Sequence, residues 1–136
     1  RQQQTLEIEI AKDLPLVKAD PSYLERILAE LLNNACKYTA SHETITVSAF
    51  VNPPTEVNTT IWIQVSNSGV EIPEHERDRI FERFYRIPSH DPWRHGGTGL
   101  GLALVKKLVE RLGATIQVTS ENNKTVFTII LPISPP

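Results

Sequence analysis

From Asp20 to Tyr38 the chain carries a pattern that admits one reading. The dipeptide 20-DP-21 offers an N-cap followed by proline at the first helical position, and Leu24, Ile27, Leu28, Leu31 and Ala35 then recur at helical spacing. The period predicts a helix from Ser22 to about Tyr38 with its apolar residues on one side. Such a helix must lay that side on something, and the flanking segments supply it. Residues 5–11 (TLEIEIA) alternate polar and apolar, which predicts a half-buried strand. Residues 43–51 (ETITVSAFV) and 60–66 (TIWIQVS) alternate again, and the Pro- and Asn-rich 52-NPPTEVN-58 between them predicts a hairpin with a loose loop.

A short helix is expected over 74-EHERDRIFERF-84. An aperiodic loop follows from Arg86 to about Thr98 (RIPSHDPWRHGGT), with two prolines and two glycines. Loops this long inside a compact domain are usually functional or mobile. A second helix is predicted from about Leu100 to Leu112, stopped by Gly113 as a C-terminal cap. Two last strands, 115-TIQVTS-120 and 125-TVFTIIL-131, end at Pro132. Strands return after each helix, so the expected fold is an α/β sandwich, one sheet covered on one face by helices.

Length and charge narrow the function classes. The 136 residues suffice for one domain with a proper core and are too few for two. A net charge of -2 leaves no basic footprint for nucleic acid or for a membrane surface. No apolar run approaches the roughly 18 residues of a spanning helix, and RQQQTLEIEI is no signal peptide. The single cysteine, Cys36, excludes an internal disulfide and fits a reducing compartment. Arg1 in place of a starting methionine predicts a piece of a longer protein.

Three stretches can carry chemistry. On the first helix, Glu30, Asn34, Lys37 and Tyr38 stand at i, i+4, i+7 and i+8 and share one face, away from the apolar stripe. A carboxylate, an amide oxygen, an ammonium and an aromatic ring can together bind a base, a hydrated metal and phosphates. A solvated helix face is the plainer account, but Asn is a poor choice in mid-helix unless its amide has a partner. In 96-GGTGLGLALVKKLVE-110, Gly97, Gly99 and Gly101 lead straight into a helix whose N-terminal N–H groups and dipole suit an anion. The stretch is neither a dinucleotide-binding fingerprint nor a Walker A loop. The third, 65-VSNSGVEIP-73, reads as a strand ending in a glycine turn, with Asn67 as an acceptor for a ligand's base edge. His42, His75, His90 and His95 show no metal-ligand spacing, and no Ser–His–Asp arrangement is present.

Four segments, 30-ELLNNACKYT-39, 67-NSGVEI-72, 81-FERFYR-86 and 97-GTGLGLALVKKLVE-110, stand in an order that resembles the N box, first glycine motif, F box and second glycine motif of sensor histidine kinases. The matching region of those kinases is their ATP-binding catalytic domain, of the GHKL group that also holds gyrase-type ATPases, MutL and the Hsp90 chaperones. The resemblance covers the chain from Thr5 to Pro132 and implies a Bergerat ATP-binding fold. That is a two-layer sandwich in which about three helices cover one face of a mixed, mostly antiparallel sheet of about five strands. It implies a single catalytic domain over residues 1–136, without the dimerisation and phosphoacceptor hairpin, and a cytoplasmic location whether or not the parent is membrane-anchored.

The resemblance also implies roles. Asn34 would hold Mg²⁺, Lys37 would contact phosphate as a point charge, and Tyr38 would pack beside adenine. Phe81 and Phe84 would anchor an ATP lid at about 86–98. Tyr85 and Arg86 would face the nucleotide, Arg86 toward the terminal phosphate. Gly97, Thr98, Gly99, Leu100 and Gly101 would wrap the triphosphate, while Gly69 and Ile72 join Asn67 in the base pocket. ATP and Mg²⁺ are the implied cofactors, and the γ-phosphoryl group would pass to a histidine of the same protein or its dimer mate, then to a response regulator.

Three positions depart from the family pattern. Glu30 stands where the kinases often have asparagine and the ATPases a water-activating glutamate. It would orient or deprotonate an incoming imidazole, or serve merely as a neighbour of the metal or a helix-surface residue. Asn67 replaces an aspartate, keeping an acceptor and losing a charge. Glu71 replaces a glycine, a strained choice if the turn needs φ > 0 there; Gly69 alone taking that conformation resolves the conflict. Two other readings remain: an ATPase with Glu30 as general base, and a docking module with a degenerate nucleotide site.

Overall fold

The computed structural model describes residues 3–53, 59–69, 71–82 and 101–133. The first helix, α1 (Pro21–Tyr38), starts where Asp20 accepts the Ser22 N–H at 2.9 Å. The Ser22 hydroxyl and then its N–H, both donating to Asp20, hold that carboxyl below the ordinary aspartate value. The cap is therefore intact at neutral pH and is lost as pH falls through the lowered value. α1 buries Ile27, Leu31 and Ala35, as the period requires. The second helix, α2 (Gly101–Arg111), buries Val105 and Val109. Past its end Gly113 takes φ +72°, which lets the Ala114 N–H reach back to the Val109 carbonyl at 3.1 Å.

Five strands form one sheet: β1 (Thr5–Ile10), β2 (Thr44–Asn52), β3 (Thr60–Ser68), β4 (Thr115–Glu121) and β5 (Lys124–Pro132), in the order β1-β2-β3-β5-β4. β1 lies parallel to β2 because α1 carries the chain back to its starting end between them. The remaining pairs are antiparallel. This is the mixed, mostly antiparallel sheet expected. Along β3, Ile61, Val65 and Asn67 share one face by the two-residue period, and the helices cover that face. Ile45, Ile61, Val65, Phe127, Ile129 and Leu131 of the sheet meet Ile27, Leu31, Val105 and Val109 of the helices in one core. No described helix is long and apolar enough to cross a membrane.

Two expectations are corrected. β1 is a strand but not a half-buried one: Leu6, Ile8 and Ile10 are 56%, 64% and 50% exposed. Their alternation points them to the helix side, but α1 packs chiefly on β3 and α2 on β4 at the opposite edge of the sheet. The helix expected over residues 74–84 is, as far as Glu82, two 3₁₀ turns, Glu74–Glu76 and Arg79–Phe81. The chain breaks stride at Arg77, whose guanidinium donates to the carbonyls of Ile72 and Ser120 and ties the segment to the sheet. That break turns Ile80 into the core and sets Phe81 edge-on against Phe127, with ring centroids 6.1 Å apart.

Candidate nucleotide site

Burial of Ile27, Leu31 and Ala35 fixes the rotation of α1, and its polar face follows from that. Glu30, Asn34 and Tyr38 are half-buried along this face, and Lys37 is exposed in the last turn. The end of the helix is held from outside. The Gln4 side-chain amide, just before β1, donates to the carbonyls of Cys36 and Thr39. These are among the carbonyls that a helix end leaves without an internal partner.

At the end of β3, Asn67 is 6% exposed on the helix-covered face, and no described residue hydrogen-bonds its carboxamide. The turn beyond is built around Gly69, which has φ +81°. A side chain there would be strained and would also run into Glu43, whose Cδ lies 2.8 Å from the place a Cβ would take. Glu43 holds that position by accepting the Ser68 hydroxyl at 2.8 Å.

Glu71 has a task of its own. Its Oε2 accepts the Asn123 N–H at 2.6 Å, while the Asn123 carbonyl accepts the Gly69 N–H at 2.8 Å. Asn122 and Asn123 both have φ near +60°, the conformation of a two-residue hairpin turn, here joining β4 to β5. The turn thus grips the loop after β3 from the side. Deeper in, the Ile72 N–H donates to Ser120 Oγ at 2.7 Å, and that oxygen also bonds the Thr125 hydroxyl at 2.9 Å. Sequence reading missed Glu43, Arg77 and Ser120. The one signal available was Asn122–Asn123, a pair that tolerates left-handed backbone.

Ser120 offers a direct test of this support. It is 4% exposed, so Ser120→Ala leaves the Ile72 N–H buried without an acceptor and is expected to cost about 1–3 kcal/mol, read as a lowered midpoint in urea unfolding.

The third wall joins the two helices. Glu30 Oε2 accepts Arg26 Nε at 2.9 Å, and Glu30 Oε1 lies 2.8 Å from where a Cβ on Gly101 would stand. The carboxylate of α1 therefore sits at the first residue of α2. The Glu30 contact brings the polar face of α1 against Gly101 of α2, while Asn67 is buried at the end of β3 on the helix-covered face.

The model of histidine kinase-, DNA gyrase B- and HSP90-like ATPases matches residues 19–135. The chain belongs to this family. Its relatives are sensor histidine kinases: it is 37% identical over 128 residues to the circadian input-output histidine kinase CikA of Synechococcus elongatus, across 93% of this chain and 16% of CikA. It is 36% identical to the sensor histidine kinase CusS of Escherichia coli over 93% of the chain and 25% of CusS, so it spans a quarter or less of each. The fold is that of the histidine kinase catalytic domain. The catalytic domain of ThkA superposes with a TM-score of 0.79 at 25% identity, covering 98% of this chain and 82% of that one.

In this kinase-type domain the structure describes Glu30, Asn34, Lys37, Tyr38, Asn67, Gly69, Ile72 and Gly101 of the expected site. Tyr85, Arg86, Gly97, Thr98, Gly99 and Leu100, with the lid and Phe84, lie outside the described residues. Phe81, expected as one of two lid anchors, packs edge-on against Phe127 and has Lys106 Nζ 5.8 Å from its ring centroid. A Mg²⁺ ion fits the donors present. The half-buried Asn34 amide is a hard oxygen ligand, and Mg²⁺ commonly takes one or two protein ligands and completes its shell with water and phosphate.

Proposed function

We propose that this chain binds ATP with Mg²⁺ and, in the full-length protein, presents the γ-phosphoryl group to a histidine on a separate dimerisation domain. ADP is released, and the phosphoryl group moves on to an aspartate of a response regulator. The observation that carries the reading is Asn67, a buried carboxamide at the end of β3 on the side where α1 presents Asn34. Two solved relatives support it in kind: ShkA, 25% identical over 98% of this chain, is known in complex with AMPPNP, and ThkA in complex with the response regulator TrrA. A cytoplasmic location follows from this role.

In this reading Asn34 holds the metal, which neutralises phosphate charge. Lys37 adds a second positive contact, and Asn67 accepts the exocyclic amine of adenine. The clamp from Glu71, Asn123 and Ser120 keeps the loop after β3 in place while the base enters. Arg86 stabilises the departing phosphoryl group, and catalysis is positioning plus electrostatics. Calorimetric titration with ATP and then GTP, each with and without Mg²⁺, tests the reading. Mg-dependent, micromolar binding of ATP is expected; no heat and no thermal stabilisation by either nucleotide would sink it.

Asn67 sets the base preference. A neutral acceptor contributes about 1 kcal/mol and a charged one roughly 1.5–3, and the amide's own donor tolerates the carbonyl of guanine. Asn67→Asp is therefore expected to raise the ATP/GTP affinity ratio about tenfold, and Asn67→Ala to change that ratio as well as weaken ATP. Equal loss of both nucleotides in Asn67→Ala would remove Asn67 from the base pocket.

A further inference from the structure

Asn67 stands on the last rung that joins β2 to β3, opposite Ile45. On its other side β3 stays paired with β5 as far as Ser68, so the side toward β2 is the loose one. Strand ends beyond a last rung open at little cost. Here a side-chain link takes over on the opposite face of the sheet, where Ser68 points because successive strand residues alternate. The Ser68 hydroxyl accepts the Thr44 N–H at 2.9 Å and donates to Glu43 Oε1 at 2.8 Å. Two bonds thus carry the pairing one residue past its last rung. The Glu43 side chain then runs along Gly69, with Cδ and Cγ 2.8 and 2.9 Å from where a Cβ would stand.

In the function proposed above, the Asn67 carboxamide accepts the exocyclic amine of adenine. An acceptor that has to be ordered during binding gives up part of the affinity it would otherwise supply. We propose that Glu43 is a positioning residue for the base. Acting through Ser68 and Gly69, it fixes the end of β3 so that Asn67 is already in place when the nucleotide arrives. Nothing in the motifs of the sequence marks Glu43 for this role, because its link to Ser68 spans 25 residues. The inference rests on the ATP-binding reading.

The test is calorimetry with Mg²⁺, well below the melting temperature, of ATP and of purine riboside triphosphate, which lacks only the exocyclic amine. Wild type is expected to bind ATP about fivefold more tightly, the worth of one neutral hydrogen bond. Glu43→Ala leaves the Ser68 hydroxyl only the Thr44 carbonyl, 3.4 Å away. It is expected to bring the preference below about twofold. Ser68→Ala cuts the same link and should do the same. The double variant should do no more than either, since changes within one shared link do not add. Glu43→Gln keeps an acceptor for Ser68 and should restore the wild-type preference.

A Glu43 that served stability alone would lower the melting temperature and leave the preference untouched. An unchanged preference in Glu43→Ala and Ser68→Ala, or a wild type that binds both nucleotides equally, would overturn the inference and spare the ATP reading. Loss of the preference in Glu43→Gln would overturn it too. Failure of wild type to bind either nucleotide with Mg²⁺ would overturn both.

Discussion

Asn34→Ala is expected to weaken Mg-dependent ATP binding by about a hundredfold and to leave the domain as stable as before, or slightly more so. The two effects have opposite signs for separate reasons. Asparagine in mid-helix is disfavoured relative to alanine by roughly 0.5 kcal/mol, and Asn34 belongs to the polar face of α1, not to its buried stripe of Ile27, Leu31 and Ala35. Truncating it should therefore raise the melting temperature by a degree or two. Binding moves the other way. Residues that merely support a metal ligand are already worth about 10–100-fold in metal affinity, and Asn34 is the ligand itself in the proposed site. A hundredfold loss corresponds to about 2.8 kcal/mol. Calorimetry with Mg²⁺ and a thermal melt on the same sample check both halves. A variant that melts several degrees lower and still binds ATP would show that Asn34 serves the fold.

Leu31→Ala carries the second large effect, and it falls on stability. Leu31 is 1% exposed, in the core cluster with Val65 of the sheet and Val105 of α2. Removing three carbons from such a place loses their transfer free energy and leaves a cavity, together about 3–4 kcal/mol. In a chain of this length that lowers the melting temperature by about 10–15 °C. The urea m-value should stay constant, because the surface exposed on unfolding hardly changes. ATP affinity, measured well below the melting temperature, should fall by less than tenfold. A loss of stability under 1 kcal/mol would mean that α1 is not seated on the sheet as described.

The two variants separate what shares a single helix. Positions 27, 31 and 35 hold α1 down, and positions 30, 34, 37 and 38 lie on its half-buried to exposed polar face. That division was legible from spacing alone, since the helical period assigns each residue a side before any partner is known. The β2–β3 hairpin was legible for a similar reason, as were the start of α1 at Asp20 and Pro21 and the end of α2 at Gly113. Gly69 was legible as a turn because β-branched and charged neighbours cannot take its backbone angles. The segments that carry the motifs on α1, β3 and α2 were legible as elements because period and turn chemistry are local to each.

The misreadings have a common cause. Alternation in residues 5–11 reports which way side chains point; it does not report whether a helix stands over them. β1 lies at the sheet edge, away from the strands on which α1 and α2 chiefly pack, and its apolar row is exposed. Apolar spacing near Ile80 and Phe81 suggested a continuous helix, while the Arg77 bonds to Ile72 and Ser120 break it into two turns. The bond from Asn123 to Glu71 was not legible either, because its two ends lie far apart along the chain.

What the sequence by itself determined is therefore the set of elements, the side each residue takes and the chemistry each motif offers, because propensity, period and capping act over a few neighbouring residues. Only the tertiary structure decided that the β4–β5 turn grips the loop after β3 through Glu71 and Gly69, that Ser120 holds Ile72, and that the Glu30 carboxylate rests at the start of α2 against Gly101. Each of these contacts joins segments many residues apart. Their distances are set by how strands register and helices pack on the sheet, and no local preference encodes them.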